Sequence, residues 1–130
     1  MPLPNPTERK GLVTSRVGQG KYRRDLIEKF EGKCAVTKTS SVEILIASHI
    51  VPWRSSNDTE RLDKENGILL SPLYDALFDK HLISFQDDGK IIISKGIIDN
   101  KLLLLIDKNS MINVTEGMKK YLGKHRELLR

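Results

Sequence analysis

Residues 41–51, SVEILIASHIV, are rich in β-branched side chains and apolar on both alternations. A strand with one face in water alternates apolar and polar residues, so this run predicts a strand buried on both faces. At 130 residues the chain is the size of one ordinary domain and can bury a core without staples. Inside the apolar run stands one ionisable group, His49, and Pro52-Trp53 follows almost at once.

Composition narrows the classes. With 38% apolar and 30% charged residues the chain is globular in type. Its longest apolar run, in KLLLLID, is far short of the roughly 20 residues that cross a bilayer. The opening MPLPNPTERKG lacks the apolar centre of a signal peptide, which places the expected location in the cytoplasm, away from membranes. The single cysteine, Cys34, excludes an internal disulfide and any multi-cysteine zinc site.

The net charge of +5 is unevenly spread. Residues 1–33 hold eight basic against four acidic side chains, residues 34–118 nine against twelve, and residues 119–130 five against one. Two basic ends around a slightly acidic middle suit a protein that holds a polyanion and sets a metal ion against it. Solvated helix faces would give the same pattern.

Along the chain, residues 1–20 hold several prolines and glycines and no sustained periodicity, which predicts an extended leader arm ahead of a single domain over 21–130. KYRRDLIEKFEG puts Tyr22, Leu26, Ile27 and Phe30 on one helical face, with Gly32 as the stop. Residues 54–67 read as a long polar loop, GILL as a short strand, and SPLYDALFDKHL as a helix capped by Ser71 with Pro72 in its first turn. LISFQDDGKIIIS is a hairpin turning at Asp88-Gly89, and TEGMKKYLGKHRELLR is an amphipathic helix with Met118, Tyr121, Leu122, Leu128 and Leu129 on or near one side. Residues 96–114 are ambiguous. The fold class is therefore α+β.

His49 alone reads as a core histidine satisfied by a backbone carbonyl. Its company changes that. Asn66 ends the polar loop, and the next helix carries Asp75 and Asp79 one turn apart on the same face. A neutral imidazole can take a proton from water, an amide can fix its orientation, and carboxylates can hold a hard divalent cation.

The run ASHIVPW…ERLDKENGILLSPLYDALFDKHLISF resembles the strand, loop, strand and helix core of the HNH endonucleases, whose ββα-metal fold cuts DNA phosphodiesters. Ahead of it, RVGQGKYRRDLIEKFEGKCAVT is similar to a subfamily with an Arg-x-Gly-Gln leader, found in restriction-type proteins. The resemblance spans roughly residues 9–95. It implies a ββα-metal core framed by the N-terminal helix, the hairpin and the C-terminal helix, with DNA as the partner.

Position by position, the resemblance makes His49 the general base and Asn66 the residue that orients it through the loop. Asp75 stands where the family often has its last histidine, which favours oxygen ligation and so Mg²⁺ or Mn²⁺, one cation, over Zn²⁺. Asp79 is the second carboxylate, or else a surface partner of Lys80 or Arg61. Ser48 stands where many relatives carry an acidic residue or a histidine, so the first strand offers the metal only a weak ligand. His81, six residues from Asp75, is expected to face elsewhere. Relatives with paired Cys-x-x-Cys knuckles bind structural zinc; here none is expected. Arg16, Lys21, Arg23, Arg24, Arg54 and Arg61 are candidate phosphate contacts. Trp53 reads as a core anchor because tryptophan buries so much area. Arg16 and Gln19 resemble family positions whose task the sequence does not define.

Two other functions fit: a DNA-binding module of the same fold that has lost catalysis, and a metal-dependent hydrolase of a small phosphoester. No segment reads as an obvious recognition helix, which leaves three options open: a homodimer that reads a short site, a partner recognition domain that reads modified bases, or nicking with little preference.

Overall fold

The computed structural model describes residues 16–130; residues 1–15, most of the predicted leader, lie outside the described residues. Helix α1 spans Arg16–Lys29 and so begins inside the segment read as an extended arm. Gly18 and Gly20 hide it in the sequence, since a glycine costs a helix interior about 1 kcal/mol relative to alanine. Packing outweighs that cost, because Tyr22 and Leu26 are buried against the first sheet. Glu31 and Gly32 then take left-handed φ of 56° and 70°, and the Gly32 N–H donates to the Ile27 carbonyl at 2.7 Å, which ends the helix where glycine was expected to end it.

Strands β1 (Ile46–His49) and β2 (Gly67–Leu70) pair antiparallel, with Ile46 opposite Leu70 and His49 opposite Gly67. β2 is buried throughout. β1 is not: Ile46 is 37% exposed, and only Ser48 of its four residues is buried. The expectation of a strand covered on both faces fails because the sheet has two strands, and one face of β1 opens onto a cavity. The apolar run is also broken earlier, by a 3₁₀ turn at Val42–Ile44.

The polar stretch between the strands is largely structured. It holds a 3₁₀ turn at Trp53–Ser55, helix α2 (Asp58–Leu62) and a second 3₁₀ turn at Lys64–Asn66. Asn57 caps α2 with a reciprocal pair to Glu60, each bond 2.9 Å. Helix α3 (Pro72–Asp79) follows β2 and buries Tyr74, Leu77 and Phe78. Ser71 is its N-cap by position but makes no side-chain cap bond.

Strands β3 (Ile83–Phe85) and β4 (Ile91–Ile93) form the expected hairpin, with Gly89 at φ 93° in its turn. The ambiguous segment contains helix α4 (Asn100–Leu104), capped by Asp99. Helix α5 (Lys119–Glu127) packs on β3 and buries Tyr121, Leu122 and His125. Leu128, expected on the inner side, is 57% exposed because the helix has ended; His125, one turn after Tyr121 and Leu122, takes the inward place. One apolar core joins both sheets through Leu69, Leu70, Phe78, Phe85, Met118 and Leu122. The architecture is α+β.

Candidate functional site

The site grows from the end of β1. Because His49 pairs with Gly67, the residue opposite it has no side chain, and a Cβ at Gly67 would collide with the Tyr22 hydroxyl and lie 2.8 Å from both Leu26 methyls. The missing Cβ lets α1 approach the sheet. The Tyr22 ring then stacks on the His49 imidazole, with centroids 4.3 Å apart and planes 6° from parallel. Trp53 meets the same imidazole edge-on at 5.7 Å.

His49 Nε2 lies 2.8 Å from the Arg61 carbonyl. A carbonyl only accepts, so Nε2 carries the proton and Nδ1 keeps the lone pair. Burial holds the His49 pKa below its ordinary value, and the Arg61 charge pushes the same way against the opposing effect of the carbonyl. The ring is therefore neutral at pH 7, the form a base requires.

Asn66 is fully buried, and its side-chain hydrogen bonds go to Val51, Ser56 and Glu60 and not to His49. Its Oδ1 accepts from the Val51 N–H at 2.8 Å, its Nδ2 donates to the Glu60 carbonyl at 3.1 Å, and its own carbonyl accepts from Tyr22 Oη at 2.8 Å. It thus ties the exit of β1 to the end of α2, one residue from the carbonyl that holds His49.

Ser48 and Asp75 form a second pair. The Ser48 hydroxyl, buried at the middle of the sheet face, donates to Asp75 Oδ1 on α3. Ser48 is thereby committed to the carboxylate and has its donor spent there. Asp79, a turn later, is exposed and carries no ion pair to Lys80 or Arg61 among the described residues. A cavity of about 600 Å³ has His49, Ser48, Asp75 and Asp79 on its wall together with Arg54, Lys80 and His81.

His81 is thus a correction: it lines the same cavity. The helix ends at Asp79, and His81 takes a left-handed φ of 59°, so helical spacing no longer governs where it points. Its ring stacks on His125 at 4.3 Å, and its Nε2 is buried with no hydrogen-bond partner among the described residues. Trp53 is a second correction. It is 36% exposed on the cavity rim, because the strand has ended at His49 and the turn at Trp53–Ser55 carries the indole outward.

The basic residues divide. Arg23 donates to the Val42 and Leu45 carbonyls at 2.8 and 2.6 Å and so braces the entry to β1. Lys21 pairs with Asp25 at 2.9 Å on the surface, and Arg24 is exposed on α1. Arg61 lies over the Trp53 ring at 4.6 Å and donates to the Trp53 carbonyl and to Asp58. Arg54 is exposed at the cavity. The Arg16 side chain lies outside the described residues. Reading the sequence missed Tyr22, Lys80 and His81 as parts of this site; only the pairing of His49 with Gly67 could have pointed to Tyr22.

Among the described residues no three His, Cys, Asp or Glu side chains converge into a metal-ligating group. The Asp75 and Asp79 carboxylates on the cavity wall are oxygen donors of the kind that a hard, hydrated cation takes one or two at a time while keeping its waters.

Two antiparallel strands, the first ending in His49, are followed by a helix whose Asp75 lines the same cavity, a strand–strand–helix order. Residues 34–86, from Cys34 to the end of the first strand of the hairpin, match the family model described as HNH endonuclease. No curated protein matches the chain. Among the described residues no helix is long and apolar enough to cross a membrane.

Proposed function

We propose that this protein is a metal-dependent DNA endonuclease of the HNH type, hydrolysing a phosphodiester bond with His49 as general base. The observation that supports it best is the fixed, neutral imidazole on the same cavity wall as a serine-anchored carboxylate. Arg61 holds Nε2–H through its carbonyl, so Nδ1 is the atom that removes a proton from the attacking water. Tyr22 and Trp53 restrict the ring to that orientation, and Asn66 holds the segment that ends in the Arg61 carbonyl.

Asp75 is the principal carboxylate for a divalent cation, Mg²⁺ or Mn²⁺, with Asp79 as the second. Bound there, the cation would neutralise charge building on the phosphate and the leaving oxygen. Ser48 orients Asp75 by its hydrogen bond. Arg54 and Lys80, on the same wall, grip the flanking phosphates, contacts that position DNA without reading its sequence.

The test is plasmid nicking with Mg²⁺, Mn²⁺ or EDTA, run on the wild type and on His49→Ala. The wild type should nick only with metal. The variant should lose at least 100-fold in rate, the lower end of what a positioned base contributes, while binding DNA within a few-fold of wild type. Intact plasmid under every metal would leave a DNA-binding module without catalysis. Binding that barely responds to salt would point to a small phosphoester as substrate.

A further inference from the structure

We infer that the site takes a nucleotide whose base is unpaired, with that base stacked on the exposed surface of Trp53, so that single-stranded or locally opened DNA is the preferred substrate. This rests on the nuclease reading and adds the substrate class.

The cavity has two kinds of wall. His49, Asp75, Asp79 and Arg54 suit a phosphate and a cation, neither of which needs an apolar surface. Yet Ile46 and Trp53, 37% and 36% exposed, line the same cavity beside Pro52. Several apolar side chains elsewhere are more exposed, among them Ile98 and Leu104, so the place of Ile46 and Trp53 on a charged cavity wall, and not their exposure, is what a ligand with an apolar face matches. A nucleotide joins an anionic phosphate to a flat apolar base, and the cavity, about 600 Å³, lies within the usual range for sites that enclose a whole small ligand.

The indole is also held ready. Arg61 covers it at 4.6 Å, and its Nε donates to the Trp53 carbonyl at 2.8 Å, so ring and guanidinium form one braced unit. A rigid aromatic beside basic side chains is the usual platform for unpaired bases. In an intact duplex both faces of each base are covered by its neighbours, so the base that meets Trp53 has to be out of the stack.

Trp53 is the one tryptophan in the chain, so its fluorescence reports this contact directly. The wild type would be titrated in EDTA, which blocks metal-dependent cleavage, with a short oligothymidylate, a duplex of equal length, and an abasic strand that keeps the phosphates. Occupancy would be followed separately by anisotropy of an end label. The single strand should quench Trp53 at saturation, while the duplex and the abasic strand at equal occupancy should not. Trp53→Leu should lower single-strand affinity roughly five- to 150-fold, the range measured for losing one stacked base, and change duplex affinity little. Equal quenching by duplex or abasic strand, or none by the saturating single strand, would overturn the inference while leaving the nuclease reading intact. Quenching by the single strand alone, with no cleavage of any DNA under any metal, would uphold the stacking site and remove the nuclease reading.

Discussion

Replacing Asn66 by alanine separates a residue that orients the base from one that merely fills space. The side chain satisfies the Val51 N–H and the Glu60 carbonyl, and alanine satisfies neither. Val51 is buried, so its orphaned N–H carries most of the desolvation penalty of roughly 1–3 kcal/mol; Glu60 is half-buried and water recovers part of its loss. The sum is roughly 2–4 kcal/mol. For a domain of this length that corresponds to about 10 °C in Tm. Thermal unfolding followed by circular dichroism gives the number. Nicking assayed well below the lowered Tm gives the second half of the claim, a fall in kcat of at least about tenfold, because the segment carrying the Arg61 carbonyl is no longer tied to β1.

Asn66→Asp adds a check on the mechanism. Its carboxylate can still accept from Val51, but sets an oxygen against the Glu60 carbonyl. The protonated acid can donate there. Burial raises the introduced carboxyl's pKa in the folded state above the roughly 3.9 of the unfolded chain, so the folded state holds the proton between the two values. The contribution is therefore present below about pH 4 and is lost as pH rises through the raised value. A Tm for Asn66→Ala within about 2 °C of wild type, or no such pH dependence in Asn66→Asp, would refute the assignment of these bonds.

Asp75→Ala should cut cleavage steeply, with only partial recovery at high Mg²⁺. Ser48→Ala should instead raise the Mg²⁺ needed for half-maximal rate by roughly tenfold, the worth of one hydrogen bond to a charged group, and keep most of the maximal rate. Gly67→Ala should destabilise by about 1–3 kcal/mol in urea unfolding, because its Cβ would press on Tyr22 and Leu26, and should slow nicking as Tyr22 is displaced from His49. His125 is buried between Phe78 and His81, and burial pushes its pKa down to about 4. Below pH 6.5 the unfolded chain therefore takes up a proton that the folded state refuses, and stability should fall by on the order of 3 kcal/mol as pH drops from 6.5 to about 4. Urea midpoints for wild type and His125→Gln across that range should converge toward low pH; parallel curves would contradict it.

The parts of this site that could be read from sequence are those set by local chemistry. Pro72 in the first turn of a helix, Asp88-Gly89 in a hairpin and Gly32 after α1 each follow from what a short stretch can do with its backbone, and each stands where expected. Three misreadings came from where the strand and the helix end and from what the sheet leaves uncovered. Apolar composition made residues 41–51 look buried on both faces, but burial belongs to the sheet, and a two-stranded sheet leaves one face of β1 to the cavity. Helical spacing sent His81 away from Asp75, but one left-handed residue after Asp79 cancelled the spacing. Trp53 looked like core because tryptophan usually is, yet the strand ends at His49 and a turn sets the indole on the cavity rim. These three departures fall on one cavity. The residues that defied the pattern rules, an exposed isoleucine, an exposed tryptophan and a histidine whose buried nitrogen has no partner among the described residues, surround the groups chosen for chemistry. Local rules describe a chain that satisfies itself, and a binding site is the place where it leaves apolar surface and polar atoms for another molecule to satisfy.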